Sequence, residues 1–73
     1  MNKQNIDELI SLFESVDRWK TRSTEDPLSG FHIKIKDYDT EIQIVTFSWW
    51  DGKDSWEDDL WFEQFDKRFE PWY

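Results

Sequence analysis

Apolar residues recur at helical spacing near the start of the chain. Ile6, Leu9, Ile10, Phe13 and Val16 form one stripe, widened by Leu12 and Trp19, and this predicts a helix over residues 5 to 21. Asn5 stands at the expected N-cap with Glu8 three residues on, the pairing of a capping box. Residues 21 to 30 turn to Ser, Thr, Glu, Asp, Pro and Gly and read as a connecting loop. The period then changes to two. Phe31, Ile33 and Ile35 alternate with His32, Lys34 and Lys36, which predicts a half-buried strand from Phe31 to Tyr38. Asp37 to Thr40 supplies a polar turn, and a second strand follows from Glu41 to about Trp50. A two-residue turn at Tyr38 and Asp39 sets Ile35 against Ile42, Ile33 against Ile44 and Lys36 against Glu41, giving one apolar face and one charge-paired face. On that register Val45, Phe47 and Trp49 share the side of Lys34, so the second face is apolar as well and is either covered or exposed.

The last third of the chain reads as a second helix. Asp54 with Glu57, or Ser55 with Asp58, supplies a capping box, Glu57, Asp58 and Asp59 suit the positive end of the helix dipole, and Pro71 stops the run. At about 100° per residue, Trp61, Phe62, Phe65, Phe69 and Trp72 share one stripe. Asp59, Glu63, Asp66 and Glu70 follow helical steps in a row beside it, while Trp56 and Leu60 stand on another side. The Asp51-Gly52 pair is a strong turn signal and allows Lys53 to Trp56 to return briefly as a third strand before this helix. The expected architecture is α+β: helix, strand, strand, helix, with both helices on the apolar face of a two- or three-stranded antiparallel sheet.

Seventy-three residues make one domain, residues 1 to 73, small enough that stability is modest without a disulfide, metal or partner. A net charge of −8 points by itself toward disorder, but 14 residues are Phe, Trp or Tyr, and that content supports an aromatic-rich core. The chain has no cysteine, no apolar run of membrane-spanning length and no signal-peptide core at its N-terminus, so a cytoplasmic protein is expected. Seventeen acidic residues against nine basic ones disfavour nucleic acid and anionic membranes as direct partners and favour a basic protein surface.

No catalytic or cofactor motif is present. His32 is the sole histidine and has no Ser or Cys partner near it in a catalytic pattern; it reads as a surface strand residue. The Glu57-Asp58-Asp59 cluster lacks the alternating ligands and central Gly of an EF-hand loop, so neither an enzyme nor a metal protein is expected.

What remains is surface chemistry. Segment 51 to 73 carries eight acids against three bases, and residues 49 to 72 hold five of the six tryptophans. Carboxylates three or four positions apart on a helix repeat every ~4.5 to ~6 Å, on the scale of phosphates along a nucleic-acid strand. Asp51, Asp54 and Asp58 lengthen the row at its start. A plain solvated face explains the acids alone, and core packing explains any one Trp. Acids and surplus aromatics together suit a protein contact with aromatic anchors in an acidic rim. The expected contact residues are Asp51, Asp54, Trp56, Asp58, Asp59, Leu60, Glu63, Asp66 and Glu70.

Small size, strong acidity and aromatic richness together resemble the composition of phage-encoded inhibitors that occupy nucleic-acid sites on host enzymes, including anti-restriction and anti-CRISPR proteins. That resemblance implies a non-enzymatic inhibitor of a basic, nucleic-acid-binding protein. It carries no motif and assigns no residue. An immunity or antitoxin protein plugging a basic toxin, and a structural subunit that buries its aromatics in a homodimer, fit the same features.

Overall fold

A computed structural model describes residues 3 to 72, with side chains from Asn5 onward. The elements are α1 (Lys3–Ser15), β1 (Trp19–Thr21), β2 (His32–Asp39), β3 (Ile44–Trp50), β4 (Ser55–Trp61), α2 (Phe62–Arg68) and β5 (Phe69–Pro71). All strand pairs are antiparallel, and the sheet runs in the order β4-β3-β2-β1-β5. This is a small α+β domain. Its sheet has five strands, where the hydrophobic pattern indicated two or three. Among the described residues no helix is long and apolar enough to cross a membrane.

The expected stripe on α1 faces the core: Leu9 and Phe13 are buried, and Ile6, Ile10, Leu12 and Val16 pack around them. Both ends of that helix differ from the expectation. Lys3 is already helical, so Asn5 lies inside the first turn and is not the N-cap. The helix stops at Ser15, and residues 19 to 21 form a strand. Trp19 is the reason. Paired opposite Ile33 it is only 1% exposed, and its ring meets Phe13 at 5.9 Å and Phe65 at 5.1 Å. Burying so large a ring between sheet and helices outweighs another turn of helix.

The hairpin of β2 and β3 is offset from the pairing that a two-residue turn gives. Ile33 stands opposite Trp49 and Ile35 opposite Phe47, with a bulge between Ile35 and Asp37. The loop spans residues 40 to 43: Asp39 Oδ1 accepts from the N–H groups of Glu41 and Ile42, and Gln43 takes a positive φ of 56°. An odd slip exchanges the faces of a strand. Val45, Phe47 and Trp49 therefore lie on the Ile33 side, while Ile44, Thr46, Ser48 and Trp50 face outward. The exchange buries Val45 and Phe47 completely and leaves Ile42 54% exposed. Val45 and Phe47 of the doubly apolar strand are thus covered by the core, while Trp50 on its outer side stays 46% exposed.

The expected second helix is divided between three elements. Ser55 to Trp61 pair along the whole of β3, a seven-residue helix α2 follows, and Pro71 sits in the edge strand β5. Helical spacing holds only where Phe62, Phe65 and Phe69 enter the core, each with 0% exposure. Phe65 lies 4.8 Å from Phe69 and 5.5 Å from Phe47, and Phe13 of α1 closes the cluster at 5.6 Å from Phe65. Both helices thus pack on the face that carries Ile33, Val45 and Phe47. The opposite face, bearing Lys20, His32, Lys34, Trp50, Glu57 and Trp61, has no helix over it.

Candidate functional site

Asp51 opens the β3–β4 turn. Its Oδ1 accepts from the N–H groups of Asp54 at 2.8 Å and Lys53 at 2.9 Å, and these bonds hold its carboxyl below the usual carboxylate range. Gly52 supplies the positive φ of 99° that the turn requires. Beyond the turn, β4 forms one edge of the sheet, with every residue from Ser55 to Asp59 exposed.

Asp51 N–H donates to Asp54 C=O at 3.2 Å just before the β3–β4 ladder, and Phe62 N–H donates to Gln43 C=O at 2.8 Å just beyond it. Bonded pairs alternate along an antiparallel ladder. Trp56, Asp58 and Leu60 therefore direct their backbone groups at β3, and Ser55, Glu57, Asp59 and Trp61 direct theirs at the open side. Two of these four outward N–H groups are taken locally. Asp58 Oδ1 accepts from Asp59 N–H at 2.8 Å, and Gln64 Oε1 accepts from Trp61 N–H at 3.1 Å. The edge is left rich in acceptors and poor in donors.

Six of the nine expected contact residues come together here: Asp51, Asp54, Trp56, Asp58, Asp59 and Leu60. Trp56 is 44% exposed, its ring stacked on Trp49 at 6.3 Å and edge-on to Phe31 at 6.4 Å. Asp59 accepts from Thr46 Oγ1 at 2.7 Å. Leu60 is half-buried and, with Ile44, Asp59, Trp61 and Gln64, lines a shallow cavity of about 130 Å³. Glu57, outside the expected set, belongs with this group and pairs with Lys36. Of Asp51, Asp54, Glu57, Asp58 and Asp59, it alone makes a direct ion pair among the described residues, while Asp58 interacts at longer range with Arg68.

Glu63, Asp66 and Glu70 do not continue the row, because no helix joins them to Asp59. Glu63 and Asp66 lie on α2, and Glu70 lies on β5 at the opposite edge of the sheet. Each meets a cation of the chain: Glu63 pairs with Lys67 at 3.3 Å, Asp66 with Arg22 at 3.6 Å, and Glu70 with Arg22 at 3.2 Å and Lys20 at 3.6 Å. The Glu63 pair lies within α2, and those of Asp66 and Glu70 tie elements together.

The uncovered face carries a second pattern. Arg18 lies 5.0 Å over the Trp72 ring and hydrogen-bonds to Nδ1 of His32, whose ring is 5.2 Å from Trp50. As donor to Nδ1, Arg18 requires that nitrogen to be unprotonated. His32 is thus occupied as an acceptor. The helical reading set Trp61 in the stripe of Phe62, Phe65 and Phe69, but it stands exposed on this face with Trp50, and the two-residue period of Ser55 to Trp61 is the signal that places it there.

No protein-family model, no curated protein and no solved structure matches this chain.

Proposed function

We propose that the chain is a non-enzymatic inhibitor that docks the turn and edge strand of residues 51 to 59 on the basic, nucleic-acid-facing surface of another protein. The observation that carries this reading is five exposed carboxylates within nine residues, three of which, Asp51, Asp54 and Asp59, have no cation of their own among the described residues. Carboxylates left unpaired on one edge keep their field for a partner, whereas those of Glu63, Asp66 and Glu70 are largely spent within the fold. Along a strand, alternate residues such as Glu57 and Asp59 repeat about 6.6 Å apart, again on the scale of phosphate spacing. The edge resembles a phosphodiester backbone in a second respect, offering acceptors and few donors. Trp56 and the Leu60–Trp61 cavity supply apolar contact beside the charges, which slows dissociation once electrostatics has brought the surfaces together.

This reading places the protein in the cytoplasm, in the functional class of phage-type counter-defence inhibitors, anti-restriction and anti-CRISPR proteins included. The test is recovery of a partner by affinity capture from host lysate, followed by competition with DNA or RNA. Displacement by polynucleotide, with association that slows as salt rises, is the expected outcome. A partner that binds equally well with and without competing nucleic acid ends the mimicry reading, and an adjacent toxin gene then favours an immunity protein that plugs a basic cleft.

A further inference from the structure

We propose that β4 accepts an added strand: an extended segment of the partner protein, bearing Lys or Arg at alternate positions, pairs with the window Ser55–Glu57. This rests on the preceding reading that the partner is basic, and it specifies how the contact is made.

Strand addition needs successive outward N–H and C=O groups that nothing else has taken. Ser55 and Glu57 are such a pair, since both direct their backbone groups away from β3 and neither N–H donates to a group of the chain among the described residues. Each can exchange two hydrogen bonds with the residue opposite it. The window is bounded at both ends. Before it, the chain turns at Asp51 to Asp54. After it, Asp58 holds the Asp59 N–H and Gln64 holds that of Trp61, so a longer ladder is blocked by the protein's own side chains.

Charge selects the occupant. Two copies of β4 paired edge to edge bring Glu57, Asp58 and Asp59 against their own kind, and like charges across a ladder oppose pairing. A basic strand meets the reverse situation. Its residue opposite Glu57 shares the outer face with Glu57 and Asp59, and among the described residues Asp59 has only the Thr46 hydroxyl on its carboxylate. On the other face the neighbouring residue of the incoming strand lies beside the half-exposed Trp56 ring, which favours an apolar side chain. The matching segment alternates basic and apolar residues.

The test uses the whole protein, labelled with 15N, and a capped peptide of alternating lysine and valine at low salt. The comparison peptide is the same sequence N-methylated at the amides that face β4, which keeps charge and side chains and removes the strand's donors. The plain peptide is expected to slow hydrogen exchange at the Ser55 and Glu57 amides and to bind about tenfold more tightly than the methylated one, the equivalent of two ordinary hydrogen bonds. Ser55→Pro supplies a second check. Proline is tolerated on an edge strand where its N–H would face solvent, so this variant keeps the fold and the charge while the advantage of the plain peptide shrinks. Equal affinity for the two peptides overturns strand addition and leaves charge-only docking standing. Failure of both to bind overturns the basic partner and the added strand together. A wild-type dimer in sedimentation that Ser55→Pro abolishes overturns the choice of occupant.

Discussion

Arg68 holds Asp26 in a two-pronged grip, Nε donating to Oδ2 at 2.7 Å and Nη2 to Oδ1 at 2.9 Å, so the last turn of α2 is fastened to the loop between β1 and β2. The hydrogen bonds from Arg68 hold the Asp26 carboxyl below its ordinary value, against a smaller opposing effect of burial. A carboxylate whose folded value is depressed stabilises the fold above its unfolded pKa of about 3.9 and loses that contribution as pH falls through the folded value. Asp26→Asn removes the charge and should cost about 1.5 to 3 kcal/mol at neutral pH. Urea denaturation at pH 7 and at pH 3 checks this: the gap between wild type and variant should narrow at the lower pH.

Phe47 and Ile42 separate the observed hairpin register from the one a two-residue turn gives. Phe47 is fully buried opposite Ile35, and Ile42 stands in the loop, 54% exposed. Phe47→Ala should destabilise by about 3 to 5 kcal/mol, and Ile42→Ala by no more than about 0.5 kcal/mol. Chemical denaturation of the two variants measures both, and comparable losses contradict the register.

That hairpin also shows where the sequence stops being legible. Alternation identified β2 and β3 as strands, yet alternation alone does not say how long the loop is, and a positive φ at Gln43 leaves no residue signal of the kind that Gly52 leaves. The segment from Ser55 to Leu60 is ambiguous for a different reason. Trp56 and Leu60 share a face at both helical and strand periods, Asp54 with Glu57 imitates a helix cap, and acidic residues have poor strand propensity. Only pairing with β3, a tertiary contact, resolves it. The contact residues before Leu60 stay together under either reading because they are contiguous. Glu63, Asp66 and Glu70 depended on a single helix and scattered with it.

The two side-chain caps on β4 should act against self-association. Asp58→Ala with Gln64→Ala frees the N–H groups of Asp59 and Trp61, lengthens the open edge from two available donors to four, and removes one of its repelling charges. The double variant should show a concentration-dependent rise in sedimentation coefficient that wild type lacks. Identical sedimentation over the same concentrations means that the caps do not protect the edge.

The division of the acids into free and internally paired sets predicts two kinds of charge-reversal phenotype. Asp54→Lys with Asp59→Lys removes field from the unpaired edge without breaking an ion pair among the described residues, so association with the captured partner should slow and its salt dependence should flatten while the melting temperature changes little. Glu63→Lys with Glu70→Lys alters net charge by the same amount but sets like charges against Lys67, Lys20 and Arg22. Stability should fall by about 1 kcal/mol, because exposed pairs are individually weak and their reversal adds repulsion. Association should stay closer to wild type, since Glu70 lies at the far edge of the sheet from β4. Stopped-flow association at two ionic strengths, beside thermal melts of both double variants, separates local field from total charge. If the two pairs of substitutions slow association equally, the partner responds to net charge alone, and the edge from Asp51 to Asp59 has no special part in docking.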